Sequence, residues 1–165
     1  MPPKPVDKEK ALERLASLCS KSEQCEADLI RKLFNWGINS SDRKEILDYL
    51  RENRFVDDAR FAKSFANDKS RFSAWGPFKI RMELMRKKIP ERVIKEAVAS
   101  IPQEVWKEGI MKCASSKAKN LELTGEDGWN NRQKLYRYII SRGFPSSSSS
   151  KVVSLMVKKA EESQN

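Results

Sequence analysis

Lysine and arginine residues are concentrated in two segments that contain few acids, and their side chains are the best suited in this chain to bind another molecule. Residues 77–88 hold five bases against one acid, and residues 131–142 hold four bases and no acid. Ammonium and guanidinium groups neutralise phosphates and release counterions, so this pattern favours contact with a nucleic acid. The nine candidate residues for binding DNA or a partner are Lys79, Arg81, Arg86, Lys87, Lys88, Arg132, Lys134, Arg137 and Arg142.

Two interpretations of these basic segments stay open. They could form a binding stripe, or they could be solvated helix faces that contact nothing. Trp75 and Trp129 each precede one of the two segments and could stack on nucleobases. Burial in the core is the alternative role for both tryptophans.

The charge of the chain is unevenly distributed. The 165 residues include 33 Lys and Arg against 23 Asp and Glu, a net charge of +10. Residues 1–53 are neutral, residues 54–101 carry +6 and residues 102–165 carry +4. We therefore expect the last two thirds of the chain to face a polyanion.

Residue types that catalyse reactions or hold metal ions are scarce. The chain contains no histidine, which removes the commonest metal ligand and general base. Cys19, Cys25 and Cys113 form no CxxC pair, and no glycine-rich phosphate loop occurs. Asp57 and Asp58 are adjacent, a poor spacing for two ligands of one metal ion. We expect a protein that is not an enzyme, with no catalytic residue, metal or cofactor.

Segments that would direct the chain to a membrane are absent from the sequence. The first ten residues lack the apolar run of a signal peptide, and no run of 18 apolar residues occurs anywhere. The odd number of cysteines argues against a disulfide framework. The sequence predicts a soluble cytoplasmic protein that does not interact with membranes.

Apolar residues recur at helical spacing along the chain, and the alternation typical of strands is absent. The pattern predicts nine helices and an all-α fold. The predicted ranges are 8–20, 23–36, 42–53, 57–72, 77–88, 91–100, 103–121, 131–142 and 151–160. The serine run at 146–150 is predicted to be a loop before the last helix.

The nine predicted helices fall into three similar triplets. Residues 29–38 align without gaps with residues 80–89 and 135–144, at offsets of 51 and 55. The same offsets relate Ile46, Leu47 and Leu50 in the third helix of the first triplet to the third helices of the other two. We expect three tandem three-helix repeats, at 1–53, 54–101 and 102–165, in an elongated, curved arrangement. Lys88 takes the place of Gly37 and Gly143, at a cost of about 1 kcal/mol if that turn is left-handed.

A short motif begins at Phe55, and elementary helix chemistry explains most of it. Asp57 suits the N-cap of the fourth helix, because its carboxylate can accept otherwise unsatisfied N–H groups. Val56 and Phe61 then stand where a hydrophobic staple requires apolar residues. Asp58 in the first turn interacts favourably with the helix dipole.

This motif and a later segment resemble the RecX family. The family pattern F-[LIV]-[DN]-[DE]-x-x-[FY]-A matches Phe55, Val56, Asp57, Asp58, Phe61 and Ala62. The pattern G-x-x-[KR]-I-x-x-[EQ]-L-x-x-[KR]-G-I matches Gly76, Lys79, Ile80, Glu83, Leu84, Lys87 and Ile89 and departs at Lys88. We expect a structural role for Phe55, Asp57, Asp58, Phe61, Ala62, Gly76, Ile80 and Leu84.

The resemblance implies a non-enzymatic regulator of the RecA recombinase. Such a protein binds RecA and its DNA filament and inhibits ATPase, strand exchange and co-protease activity, which modulates recombination, DNA repair and the SOS response. We also expect weak, sequence-independent binding to single- or double-stranded DNA, and a monomeric protein. The alternative is a helical-repeat protein that contacts DNA phosphates without a RecA partner.

Overall fold

The computed structural model describes residues 6–163, and that part of the chain is helical and contains no strand. The predicted all-α fold is therefore confirmed. Nine helices are present there: α1 (Lys8–Lys21), α2 (Glu26–Asn35), α3 (Ser40–Glu52), α4 (Asp58–Arg71), α5 (Pro77–Arg86), α6 (Glu91–Ala99), α7 (Gln103–Ala118), α8 (Gly128–Ser141) and α9 (Ser146–Glu162). None of these helices has both the length and the apolar character that a membrane span requires.

The serine run is helical, and the prediction of a loop at 146–150 was wrong. Helix α9 begins at Ser146, directly after Pro145 at the N-cap. Ser149 is fully buried, and its hydroxyl donates a 2.8 Å hydrogen bond to the carbonyl of Pro145. Serine is only a moderately weak helix former, and Val152, Val153 and Met156 of the same helix pack in an apolar core, which favours the helical state.

The chain divides into two compact units, and three helices contribute to both. Unit 1 comprises Met1–Ser64 and Leu84–Ile94, and unit 2 comprises Phe65–Glu83 and Lys95–Asn165. The boundaries therefore fall within α4, α5 and α6. The predicted division at 1–53, 54–101 and 102–165, with its curved arrangement, stays a prediction.

Unit 1 has an apolar core built from α1, α2 and α3. Ala11 and Leu15 of α1 pack with Leu29 and Leu33 of α2. The remaining members of this core are Ile38, Ile46, Leu47, Leu50 and Val56. Each helix presents one apolar face, and burial of these faces supplies most of the stability that short helices lack on their own.

Unit 2 has its own core, built from α7, α8 and α9. Ile110 and Ala114 of α7 pack with Leu135 and Ile139 of α8. The remaining members are Ala74, Cys113, Leu123, Phe144, Val152, Val153 and Met156. The thiol of Cys113 is buried there, and burial raises its pKa to about 11.

Positions related by the predicted offsets share the same burial in α2, α5 and α8. Two positions of each helix are fully buried, at Leu29 and Leu33, at Ile80 and Leu84, and at Leu135 and Ile139. The alignment therefore identified the inward face of the second helix in each triplet. The predicted structural role of Ile80 and Leu84 agrees with this burial.

The same offsets also identify a shared turn after these three helices. Gly37, Lys88 and Gly143 have φ angles of 75°, 58° and 92°. In the first two turns the next residue, Ile38 or Ile89, donates a hydrogen bond to the carbonyl five residues earlier, at 3.1 Å. This is the Schellman arrangement, which ends a helix with a left-handed residue. Lys88 adopts the left-handed conformation of the two glycines, which is the condition under which a cost of about 1 kcal/mol was expected there.

In unit 2, the backbone at the start of α5 contacts the backbone at the end of α8. Gly76 N–H donates to the carbonyl of Arg142 at 2.7 Å, and Phe78 N–H donates to the carbonyl of Gly143 at 3.0 Å. A Cβ at Gly76 would lie 2.6 Å from Phe144 N, and one at Gly143 would lie 2.9 Å from Lys79 Cα. Only glycine leaves room for this contact.

We expect Gly143→Ala to lower the free energy of unfolding by about 3 kcal/mol, because it adds an overlap to the strain of a positive φ. Gly37→Ala is the matched control, since Gly37 ends α2 in the same turn and is exposed. That control should cost about 1 kcal/mol. Urea denaturation of both variants measures the difference, and equal losses would show that the contact with α5 contributes nothing.

Candidate nucleic-acid and partner interface

Helix α8 presents two of its predicted binding residues to solvent. Lys134 and Arg137 are exposed. Among the described residues, their side chains make long hydrogen bonds within the helix, 3.3 Å from Lys134 Nζ to Asn131 and 3.4 Å from Arg137 Nε to the carbonyl of Gln133. Arg132 is half-buried, and its Nε donates to the carbonyl of Gly128 at 3.1 Å. Lys134 and Arg137 therefore have the exposure that phosphate contact requires.

Arg142, the fourth predicted base of this segment, is directed into unit 2. Its Nη2 donates to the backbone carbonyl of Ser73, and its Nε is buried with no hydrogen-bond partner among the described residues. The guanidinium thus links the end of α8 to the loop before α5. The structure gives Arg142 a role in holding that loop.

The predicted bases of the α5 segment have different environments. Arg81, Arg86 and Lys88 are exposed. Lys79 lies with its ammonium 4.5 Å from the centre of the Trp75 ring, and Lys69 lies 4.9 Å from the same ring. Trp75 is half-buried and is occupied by these two cations, so its ring does not offer the stacking surface considered from the sequence.

Lys87 forms an ion pair inside unit 1. Its Nζ lies 2.6 Å from Oδ2 of Asp28, and both side chains are largely buried. Burial alone would raise the pKa of Asp28, but hydrogen bonds from Lys87 and Cys25 and the positive charges of Lys87 and Arg31 lower it on balance. The stability gained from the Asp28 carboxylate is therefore present above its ordinary pKa and is lost as the pH falls through the lowered one. Its ion pair gives Lys87 an internal role.

The motif residue Asp57 caps α4 as predicted. Its Oδ1 accepts hydrogen bonds from the backbone N–H groups of Ala59 at 2.9 Å and Arg60 at 3.0 Å. Val56 and Phe61 are buried on either side of this cap. Ala62 is also buried, and Phe55 packs at the edge of the unit 1 core.

Asp58 has a function in the fold that the sequence did not reveal. Its Oδ1 accepts a 2.9 Å hydrogen bond from the backbone N–H of Glu26, the first residue of α2. Cys25 stands at the N-cap of α2 without a side-chain cap, so Asp58 supplies that cap from 32 residues away. Burial raises the pKa of Asp58, and the carboxylates of Glu26 and Asp57 act in the same direction. Two adjacent acids thus cap two different helices.

Ion pairs around this double cap join the same elements. Arg51 of α3 binds Glu26 through two hydrogen bonds, of 2.6 and 2.8 Å. Arg60 of α4 binds Glu23 at 2.5 Å through its Nε. These arginines hold the start of α2 against α3 and α4.

One register position is apolar and exposed in all three of α2, α5 and α8. Phe34, Met85 and Ile140 correspond at offsets of 51 and 55, and their exposed fractions are 67%, 49% and 36%. Each of these residues directly follows a fully buried one, so apolar spacing alone does not distinguish it from the core. Their repeated exposure identifies them as candidate contacts for a protein partner.

Comparison with known proteins places these features in one family. The family model described as "RecX, second three-helix domain" matches residues 57–98. The regulatory protein RecX of Clostridium botulinum (strain Eklund 17B / Type B) is 34% identical over 108 residues, which are 66% of this chain and 50% of that relative. A crystal structure of regulatory protein RecX has a TM-score of 0.75 at 27% identity and covers 92% of this chain and 71% of that one.

The chain belongs to the RecX family. The regulatory protein RecX of Prosthecochloris aestuarii (strain DSM 271 / SK 413) is 26% identical and covers 85% of this chain and 89% of that relative. This chain spans about half the length of its clostridial RecX relatives. The segment that matches the family model, residues 57–98, includes both capping aspartates, Gly76, Ile80 and Leu84. The structure shows a role in folding for each of these residues.

We expect Asp58→Ala to lower the free energy of unfolding by about 1–3 kcal/mol, because it leaves the Glu26 N–H without its acceptor. Asp58→Asn keeps an acceptor and removes the buried charge, so it should cost less. Urea denaturation at pH 7 separates the two, and equal losses from both variants would contradict a capping role.

The pH dependence of stability gives a second test, in which the parent is compared with Asp58→Asn. A raised pKa means that the folded state carries a penalty for the charged carboxyl at neutral pH, and that this penalty is relieved as the pH falls through the raised value toward about 3.9. The free energy of unfolding of the parent, relative to that of Asp58→Asn, should therefore rise as the pH is lowered from 7 to 4.

Proposed function

We propose that this protein is a non-enzymatic regulator that binds RecA and RecA–DNA filaments and inhibits RecA ATPase, strand exchange and co-protease activity. Membership in a family whose compared relatives are named regulatory proteins carries the proposal. Within it, the protein acts in the cytoplasm as a monomer, and it caps the filament end or bridges successive protomers in the filament groove.

The outward apolar residues support contact with a protein. Phe34, Met85 and Ile140 expose apolar surface at one repeated register position, and exposed arginines accompany them on the same helices. Such combinations of apolar and arginine side chains are common at protein interfaces. A repeated contact position also suits a partner that is itself a repeated array of subunits.

The exposed bases support contact with DNA. Lys134 and Arg137 on α8 and Lys88 after α5 are exposed bases, and Arg81 and Arg86 of α5 are also exposed. Phosphate contacts position a protein on DNA and carry no sequence information. Binding through these side chains is therefore weak, indifferent to sequence and sensitive to salt.

The buried thiols support a role without covalent chemistry. Burial raises the pKa of Cys25 and of Cys113 to about 11. The thiolate is the nucleophilic form of cysteine, so both residues are inert at neutral pH. Their contribution is to the packing of the two units.

The alternative function is a helical-repeat protein that contacts DNA phosphates and has no RecA partner. The exposed bases alone favour it, because they require only DNA. The two functions differ in their response to salt. At a salt concentration that abolishes binding to naked DNA, inhibition of RecA can persist only if the protein contacts RecA itself.

We expect inhibition of single-stranded-DNA-dependent ATP hydrolysis by cognate RecA with fewer regulator molecules than RecA protomers, because one molecule at an end or across protomers affects many subunits. Phe34→Ala should raise the amount of protein needed, since the ring contacts solvent and not the core. A steady-state ATPase titration measures both. Full ATPase activity at equimolar regulator would contradict the proposal.

We expect the double variant Lys134→Glu, Arg137→Glu to bind single-stranded DNA more weakly and with a flatter salt dependence. Each lost phosphate contact should reduce the slope of log affinity against log salt by about 0.7, so two should reduce it by about 1.4. Lys158→Glu, Lys159→Glu on α9 is the matched control, with the same charge change on exposed residues of the same unit. Fluorescence anisotropy at several salt concentrations gives the slopes, and identical effects of the two double variants would indicate general charge instead of a stripe.

A further inference from the structure

Three aromatic side chains of unit 2 project into solvent without a partner for their rings. Phe72, Phe78 and Trp129 are 77%, 55% and 67% exposed. Among the described residues, no ring stacks on them and no cation covers them. In unit 1, by contrast, Arg43 lies 5.5 Å from the ring of Phe34, and Tyr49 stacks on Phe55 at 6.5 Å. The rings of these three residues of unit 2 are thus exposed and have no ring or cation against them among the described residues.

These three rings lie near the two ends of α8. Trp129 is the second residue of that helix. At the other end, Phe78 N–H donates to the carbonyl of Gly143, and Arg142 donates to the carbonyl of Ser73, the neighbour of Phe72. A helix of 14 residues is about 20 Å long, which is the length of about six stacked nucleotides at 3.4 Å each.

Exposed bases occupy the part of α8 between these ends. Lys134 and Arg137 lie five and eight residues after Trp129. Unit 2 as a whole contains 16 bases and 10 acids, a net charge of +6. Cationic side chains that follow the backbone, combined with aromatic rings on which bases stack, are the physical requirements for binding single-stranded nucleic acid.

We propose that Phe72, Phe78 and Trp129 stack on unpaired nucleobases, so that the protein binds single-stranded DNA in preference to duplex DNA. This inference rests on the DNA-binding part of the proposed function and names its ligand. In a duplex, the faces of the bases are occupied by their neighbours, and only the phosphates stay accessible. The rings therefore add affinity for an unpaired strand and none for a duplex.

Trp75 shows why exposure matters to this inference. Trp75 and Trp129 precede the two basic segments in a similar way, but Trp75 is half-buried. The ammonium groups of Lys69 and Lys79 lie within 5 Å of the centre of its ring, and Phe65 packs against it edge-on. Trp75 thus belongs to the loop structure, and Trp129 belongs to the binding surface.

The experiment compares three DNA probes with equal numbers of phosphates: an oligothymidylate, an abasic strand and a blunt-ended duplex without a loop. Fluorescence anisotropy of the full chain should show the tightest binding to oligothymidylate. Trp129→Ala and Phe78→Ala should each weaken that binding by about fivefold or more. Both should leave binding to the abasic strand and the duplex unchanged. The salt slope should also stay unchanged, because a stacking ring releases no counterion.

A matched control and a second observable keep this test decisive. Tyr49→Ala removes an exposed ring from unit 1 and should not affect the affinity for any probe. In the parent protein, tryptophan fluorescence should be quenched by oligothymidylate and not by the abasic strand, which tests stacking without relying on the folding of a variant. Trp129→Phe should retain part of the affinity that Trp129→Ala loses.

The contrary results separate failure of this inference from failure of the proposed function. Equal affinity of the parent for oligothymidylate and the abasic strand would overturn stacking and leave phosphate binding intact. Absence of binding to all three probes would overturn both stacking and the DNA-binding part of the proposed function. Weaker RecA inhibition by Trp129→Ala with unchanged DNA affinity would assign the ring to the protein partner and overturn stacking.

Discussion

The contact between the end of α8 and the start of α5 determines how unit 2 presents its surface. N–H groups at the start of α5 donate hydrogen bonds to carbonyls at the end of α8. Backbone groups that would otherwise be unsatisfied at two helix ends thus become partners of one another. Opposite ends of two helix dipoles also meet there. This arrangement requires glycine at positions 76 and 143, because a Cβ on either residue would overlap the opposing backbone. This contact holds in place the loop that carries Phe72 and the start of α5, which carries Phe78 and Lys79.

In unit 1, side chains rather than backbone groups satisfy the free N–H groups at helix starts. Asp57 and Asp58 are neighbours in sequence, yet each satisfies the N-terminus of a different helix, α4 and α2. One motif thus determines a local boundary and a distant contact. Burial raises the pKa of Asp58, and the N–H group of Glu26 and the guanidinium of Arg51 offset part of that rise. The motif that relates this chain to its family therefore encodes folding more than binding.

Local features of the fold could be predicted from the sequence, because helix periodicity and turn chemistry depend on neighbouring residues. The buried positions of α2, α5 and α8 and the N-cap at Asp57 followed from residue type and spacing, and the alignment placed Lys88 at a position that glycine occupies in the other two turns. The helical state of the serine run did not follow from them, because serine has a weak helix preference and tertiary packing decides its conformation. The internal partners of Lys87 and Arg142 could not be predicted either, since Asp28 and Ser73 lie 59 and 69 residues away. A count of bases therefore identifies a binding surface only when the bases with internal partners are left out of the count.

The side chain that most often responds to pH near neutrality is absent from this chain. The sequence contains no histidine, and burial raises the pKa of each of its three thiols. Histidine is the residue that most often switches the binding of a partner between pH 5 and pH 8. We therefore expect the exposed bases to respond to ionic strength, which screens charge without changing it.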